Sequence, residues 1–278
     1  MLAFENSLPT QVKELCDMLR DICSESQWEW LKQALASIDD AALSNTEVMK
    51  KVSSALLIAS ASAKRELGGL PVVIYGQSPT WFSHDIARVL LLQQFKRCLC
   101  QLLQTQPEHS SYSALQAQWS QHLLQVYRRF GEDEKALLVR SLFLLGESEL
   151  LPIALDASRT NDESLFATLA LNNPFPSQHF PERNFHQLVL KALFIDLDIK
   201  HIQGLSRRLS PELSQLCLDL VEERKLASRE IPLSIWLAIR PEDLPQDSRQ
   251  GHQQDRSVKP NTASANSTSS NTTGQPLL

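Results

Sequence analysis

Six polar residues interrupt stretches that should be apolar or rigid: Arg159, Asn173, Gln187, Lys191, Glu223 and Arg224. Cations and amides of this kind, brought to one point, would suit a carboxylate or a phosphate, to which Arg and Lys give charge-assisted hydrogen bonds. Arg224 carries the sharpest signal. Ser210 caps a helix, Pro211 sits in its first turn and Glu212 complements its dipole. Leu213, Leu216, Cys217 and Leu220 then mark an apolar stripe. Carried forward at the helical period, the stripe meets Arg224, with Glu223 on its edge. A guanidinium there needs a partner, because an uncompensated buried charge is costly. The partner is either a salt-bridge network tying the last helices together or a bound anion. On the preceding helix, Asn184 to Asp196, residues Phe185, Leu188, Val189, Ala192 and Leu193 form one face, which Leu190 and Phe194 extend nearly around the cylinder. Gln187 and Lys191 share the remaining stripe, facing solvent or a polar cavity.

Other constellations exclude more than they offer. His179, His186 and His201 stand in no metal-ligand spacing and are expected on loops or the surface. Asp196 and Asp198 point to different helix faces, so no paired acid and base follow. Neither a phosphate-binding loop nor a Gly-x-Ser-x-Gly elbow is present. Five cysteines, Cys98-Leu99-Cys100 among them, match neither redox nor zinc spacing and read as reduced thiols. No metal and no cofactor is expected.

The elements that position these residues are helices. Only 8 glycines among 278 residues, with 42% hydrophobic and 21% charged, describe a helical globular protein. A net charge of −5 and a pI near 5.8 disfavour nucleic acid as a partner. Apolar runs fall short of the ~18 residues that span a bilayer, so no membrane insertion is expected and the location is read as cytoplasmic. Helical periodicity marks residues 10–23 behind Thr10 and residues 26–38. Ser44-Asn45-Thr46-Glu47 reads as a capping box opening a third helix. Residues 67–76 read as an extended loop, since a strand there has no evident partner. A strong helix follows from Thr80 or Ser83 to Leu103, in which Asp85 and Arg88 could pair locally. Further helices cover residues 113–130, 132–145 and 147–156. Thr160-Asn161-Asp162-Glu163 is another capping box, and Asn172 to Pro181 is too rich in proline for helix. The fold class is all-α, a multi-helix array of stacked hairpins, HEAT-like or an irregular solenoid or bundle. It forms a single domain over residues 1–241, and the polar tail 242–278 is expected to be disordered.

Motifs along this chain resemble a known family. They are Arg159-Thr160-Asn161, Asn173-Pro174-Phe175-Pro176, Phe180-Pro181, Gln187 to Phe194, Gly204-Leu205 with Arg207 or Arg208, and Glu223-Arg224 with Arg229. Upstream, Lys64-Arg65, Gly68, Trp81, Asp85 to Arg88 and Glu134 to Leu137 extend the likeness. Together they resemble the EboA family, over roughly residues 50–240. Phe185-His186 and Leu209-Ser210 depart from its pattern. The resemblance implies a cytosolic helical accessory protein, encoded beside a membrane-embedded prenyltransferase-like protein and several enzyme-like proteins. It also implies a part in moving a secondary metabolite or its precursor, and it brings no catalytic residues with it.

Two functions of different class follow. A carrier or adaptor would hold a metabolite or partner proteins and would show an exposed groove or apolar patch. An enzyme would gather Arg159, Lys191, Arg224 and Asn173 or Gln187 in one closed pocket for an anionic substrate. The missing acid–base motifs and the resemblance favour the first.

Overall fold

The computed structural model describes residues 8–43, 47–72, 80–104, 112–146 and 148–244. One compact unit spans Met1–Arg240. Of the remainder from Pro241, the described residues form a short 3₁₀ turn, Pro241–Asp243. Most of the expected disordered tail lies outside the described residues.

Alternating apolar positions and local caps set the first helices. In α1 (Thr10–Ile22) the ladder opens on the Pro9 carbonyl, which accepts from the Lys13 amide at 2.9 Å, so Thr10 is the first helical residue and not the cap. Before α2 (Glu25–Ala42), Ser24 and Gln27 form a reciprocal capping box. The helix α3 (Val48–Leu67) begins after Glu47, which is left-handed at φ 49°; the rest of the expected capping box, residues 44–46, lies outside the described residues. The expected loop after α3 is partly a strand. Pro71–Val72 (β1) pairs antiparallel with Trp81–Phe82 (β2), a partner that its position against the next helix had disguised.

That next helix, α4 (Ser83–Gln104), is the centre of the fold. It packs against α1, α2, α3, α5 (Tyr112–Tyr127) and α6 (Glu132–Arg140). A helix surrounded in this way is buried on every side, and residues 83–95 are all buried. Its buried polar side chains therefore bond to groups of neighbouring elements, backbone carbonyls among them. Gln93 donates to the Leu144 carbonyl at 2.8 Å, and Arg88 donates through Nε to the Ser60 carbonyl at 3.0 Å. Ser83 Oγ and His84 Nδ1 both donate to the Gly68 carbonyl at the end of α3. Gly68 has φ 68° and ψ −159°, a backbone region almost confined to glycine.

The second half is made of short helices. The helix expected over 132–145 breaks at Ser141, whose hydroxyl donates to the Leu138 carbonyl, and resumes as α7 (Leu142–Leu145). Then come α8 (Leu151–Ser158), α9 (Glu163–Ala170), α10 (Phe175–His179), α11 (Glu182–Phe194) and α12 (Pro211–Leu226). Asp162, rather than Thr160, caps α9, accepting from the Ser164 and Leu165 amides. The proline-rich segment does contain a helical turn, α10. Its prolines fall in the first turn, where the missing donor is harmless, and Asn173 Oδ1 accepts from the Phe175 amide at 3.0 Å. Ser210 caps α12 as expected, accepting from the Leu213 amide. The helical array is thus an irregular bundle about α4. None of the five cysteines, all among the described residues, is in a disulfide; burial pushes the Cys98 and Cys217 thiols up to about 12.

Candidate functional site

Short helices leave many carbonyls without a partner, and three cations of the second half supply them. The last carbonyls of a helix carry partial negative charge and attract Lys and Arg. Lys191, on α11, donates to the Ser158 and Thr160 carbonyls at 3.0 and 2.6 Å, closing the end of α8. Its ammonium also lies 4.4 Å from the Phe166 ring centre, and burial pulls its pKa down. Arg208 donates to the Ser177 and Phe180 carbonyls, both at 2.8 Å, at the end of α10, and lies over the Phe185 ring. Arg224, on α12, donates to Leu193 and Phe194 at the end of α11, at 2.8 and 3.3 Å. It also reaches the Glu230 carbonyl at 2.8 Å and the Asp196 carboxylate at 3.0 Å. Its side chain is 11% exposed, so the charge sits on the apolar stripe, compensated. The partner is a tie between the last helices.

The remaining predicted residues are placed separately. Arg159 is the exposed C-cap of α8, beside the carbonyls that Lys191 engages. Asn173 is 2% exposed and donates to the Val139 and Thr168 carbonyls from inside the core. Glu223 and Gln187 are exposed and open onto a groove between α11 and α12. The groove has a volume of about 500 Å³, lined by Leu190, Lys191 and Phe194 on one side and Leu216, Leu220, Asp219 and Glu223 on the other. A recess of about 650 Å³ continues it past the shared Leu190 and Leu216 to His186, Gln187 and Glu212. Phe194 is 61% exposed and Leu216 39%, so the expected apolar stripe and the nearly all-apolar α11 are cut away on this side. Lys191, Glu223 and Gln187 therefore share one surface feature, while Asn173 and Arg224 are committed elsewhere. His186 is buried, not on the surface as expected, with Nε2 at 3.2 Å from Ser210 Oγ. Among the described residues no group of His, Cys, Asp or Glu could hold a metal ion.

A second constellation, missed by sequence reasoning, surrounds the first turns of α4. Asp85 and Arg88 do not pair with each other. Asp85 accepts from the Phe82 amide at 3.0 Å, and Arg88 reaches Glu134 on α6 at 3.1 Å. His84 Nε2 stands 3.5 Å from Asp85, and Arg140 approaches the same carboxylate at 3.9 Å. Lys64 on α3 bonds Asp133 on α6 at 2.9 Å, which together with the Arg88 and His84 charges holds the Asp133 carboxyl below its usual value. The signal was available: the three upstream motifs, at Lys64 to Gly68, Trp81 to Arg88 and Glu134 to Leu137, all border one cavity or the ion pairs behind it.

Among the described residues no helix is long and apolar enough to cross a membrane. A family model described as metabolite traffic protein EboA matches residues 12–240, ending where the compact unit ends. Neither a curated protein nor a solved structure matches the chain.

Proposed function

We propose that this chain, which belongs to the EboA family of metabolite traffic proteins, is a carrier that holds a metabolite with an apolar body in the groove between α11 and α12. The observation that carries the reading is the groove itself. It exposes Leu190, Phe194, Leu216 and Leu220 along a trough rimmed by Lys191, Asp219 and Glu223. Its volume lies within the roughly 300–1,000 Å³ of small-molecule sites. An open trough with few polar anchors suits capture and release better than turnover. The enzyme alternative draws less support, because the ammonium of Lys191 and the guanidinium of Arg224 are committed to helix carbonyls. An adaptor role is the second reading, favoured by Leu226 and Leu233, 87% and 89% exposed outside the groove. On either reading the protein acts in the cytoplasm beside products of a linked gene cluster, a membrane-embedded prenyltransferase-like protein among them.

The test is native mass spectrometry of the full chain purified from its own host, beside a Phe194→Ser/Leu216→Gln double variant. Both side chains are already exposed, so the variant keeps its helicity. The expected result is a small molecule on the wild type that the variant has lost. Equal retention by the variant, or no small molecule on the wild type, would overturn the carrier reading; a co-purifying protein in place of the small molecule would select the adaptor.

A further inference from the structure

We propose that the cavity framed by α3, α4, α6 and α9 binds a small oxyanion, a carboxylate or a phosphate ester, whose planar or apolar body lies against Phe82. This site is separate from the α11–α12 groove and does not depend on it. The cavity has a volume of about 450 Å³, again the size of a metabolite site. Three permanent cations line it, Lys64, Arg88 and Arg140, against two carboxylates, Asp85 and Asp133. Asp85 offsets part of the Arg140 charge from 3.9 Å, and Glu134 pairs with Arg88 at 3.1 Å. Asp85 is engaged by the Phe82 amide, and Asp133 sits at the rim with Lys64, its side chain 61% exposed.

The two guanidinium groups are held ready. Arg88 is 3% exposed and lines the cavity, held there by its Nε on Ser60 and its Nη2 on Glu134. Arg140 lies over Trp81, its Cζ 4.1 Å from the ring centre, and donates to the Thr80 carbonyl at 3.0 Å. Burial pulls the Arg140 pKa down while Asp85 pulls it up, the balance expected of a desolvated cation that a further anion would stabilise. Fixed guanidinium forks match the oxygens of carboxylate and phosphate. Such preorganisation lowers the ordering cost of binding. The neutral part of a ligand meets Ala136 and Leu137, and at the mouth the 37%-exposed Phe82, whose ring is parallel to His84 with centres 5.7 Å apart. Phe82 thus supplies the apolar contact and the arginines the charge recognition.

The experiment is isothermal titration calorimetry of the full chain with phenyl phosphate, benzoate and inorganic phosphate, and with benzyl alcohol as the neutral control. Phenyl phosphate or benzoate is expected to bind at least about tenfold more tightly than benzyl alcohol. Arg140→Gln and Lys64→Gln should each weaken that binding by about tenfold, and Phe82→Ser should shrink the advantage of phenyl phosphate over inorganic phosphate. Should Arg140→Gln fail to fold, Lys64→Gln decides alone, because it removes only an exposed pair. The Phe194→Ser/Leu216→Gln variant should keep the oxyanion affinity whatever becomes of its groove cargo. Absence of oxyanion binding at millimolar concentration, equal binding of benzyl alcohol, or unchanged affinity in the folded charge variants would overturn the proposal.

Discussion

Removing Arg224 tests whether it is a structural tie. Arg224→Ala deletes a guanidinium that serves three carbonyls and one carboxylate. The ion pair contributes little, since the Asp196 side chain is 71% exposed and such pairs are worth at most about 1 kcal/mol. The carbonyls matter more. Leu193 is fully buried, and without the guanidinium its carbonyl keeps only backbone amides at the helix end, Asp196 at 3.3 Å among them, so losing the charged donor costs about 1.5–3 kcal/mol, whereas Phe194 and Glu230 are exposed enough for water to replace the arginine. Loss of the packed side-chain stem adds to this. A net loss of about 2–3 kcal/mol follows, which in a domain of this size lowers Tm by about 5–10 °C. Differential scanning calorimetry of Arg224→Ala beside Asp196→Asn separates the contributions. The asparagine variant should melt within about 3 °C of wild type. An Arg224→Ala protein that melts with the wild type, or an Asp196→Asn protein equally damaged, would refute the reasoning. So would a fully stable Arg224→Ala protein that loses a bound small molecule, because the guanidinium would then be serving a ligand.

Two further outcomes follow from the first half of the chain. Gly68→Ala should cost about 1–3 kcal/mol in urea denaturation although nothing lies within 4 Å of the added methyl, because φ 68° and ψ −159° suit glycine almost alone; a neutral substitution would show that α3 can end in another way. Asp133 has its carboxyl lowered by Lys64, so its stabilisation is present above the ordinary value of 3.8 and is lost as the pH falls through the lowered folded-state value. The urea midpoints of wild type and Asp133→Asn should therefore differ at neutral pH and converge at acid pH, and a gap independent of pH would exclude the Lys64 pair as its source.

Much of the architecture was legible because it is written locally. The Ser210-Pro211-Glu212 start of α12 depends on neighbours in sequence, and periodicity alone identified α4 and α11. What local pattern could not supply was the partner. Arg224 was seen to need compensation, but nothing in the spacing says that the compensating groups are carbonyls at the end of α11. Arg88 looked able to pair with Asp85 one turn away, yet Asp85 is held by the Phe82 amide and Glu134 arrives from a helix brought close only by tertiary packing. The same blindness hid β1, whose partner strand begins immediately before α4. Proline chemistry misled in one place: excluding helix from 172–181 overlooked that a first turn accepts proline, here with the Asn173 side chain taking the Phe175 amide just ahead of it.

The capping role of the cations sharpens where a ligand can be held. Helices of four to nine residues, such as α6 to α10, do not stand alone in water. They persist because tertiary packing and charged side chains from neighbouring helices complete their ends. Lys191, Arg208 and Arg224 do this for α8, α10 and α11. A cation so employed cannot be withdrawn for a ligand without loosening the helix it terminates, so recognition falls to groups outside these ties. In the second half those groups are the exposed apolar side chains of the α11–α12 groove, which can grip only an apolar body. In the first half they are Arg88 and Arg140, anchored on one side by Ser60, Glu134 and Thr80 and facing a cavity on the other. The two surfaces therefore suit different chemistry, an apolar body in the groove and an oxyanion in the cavity.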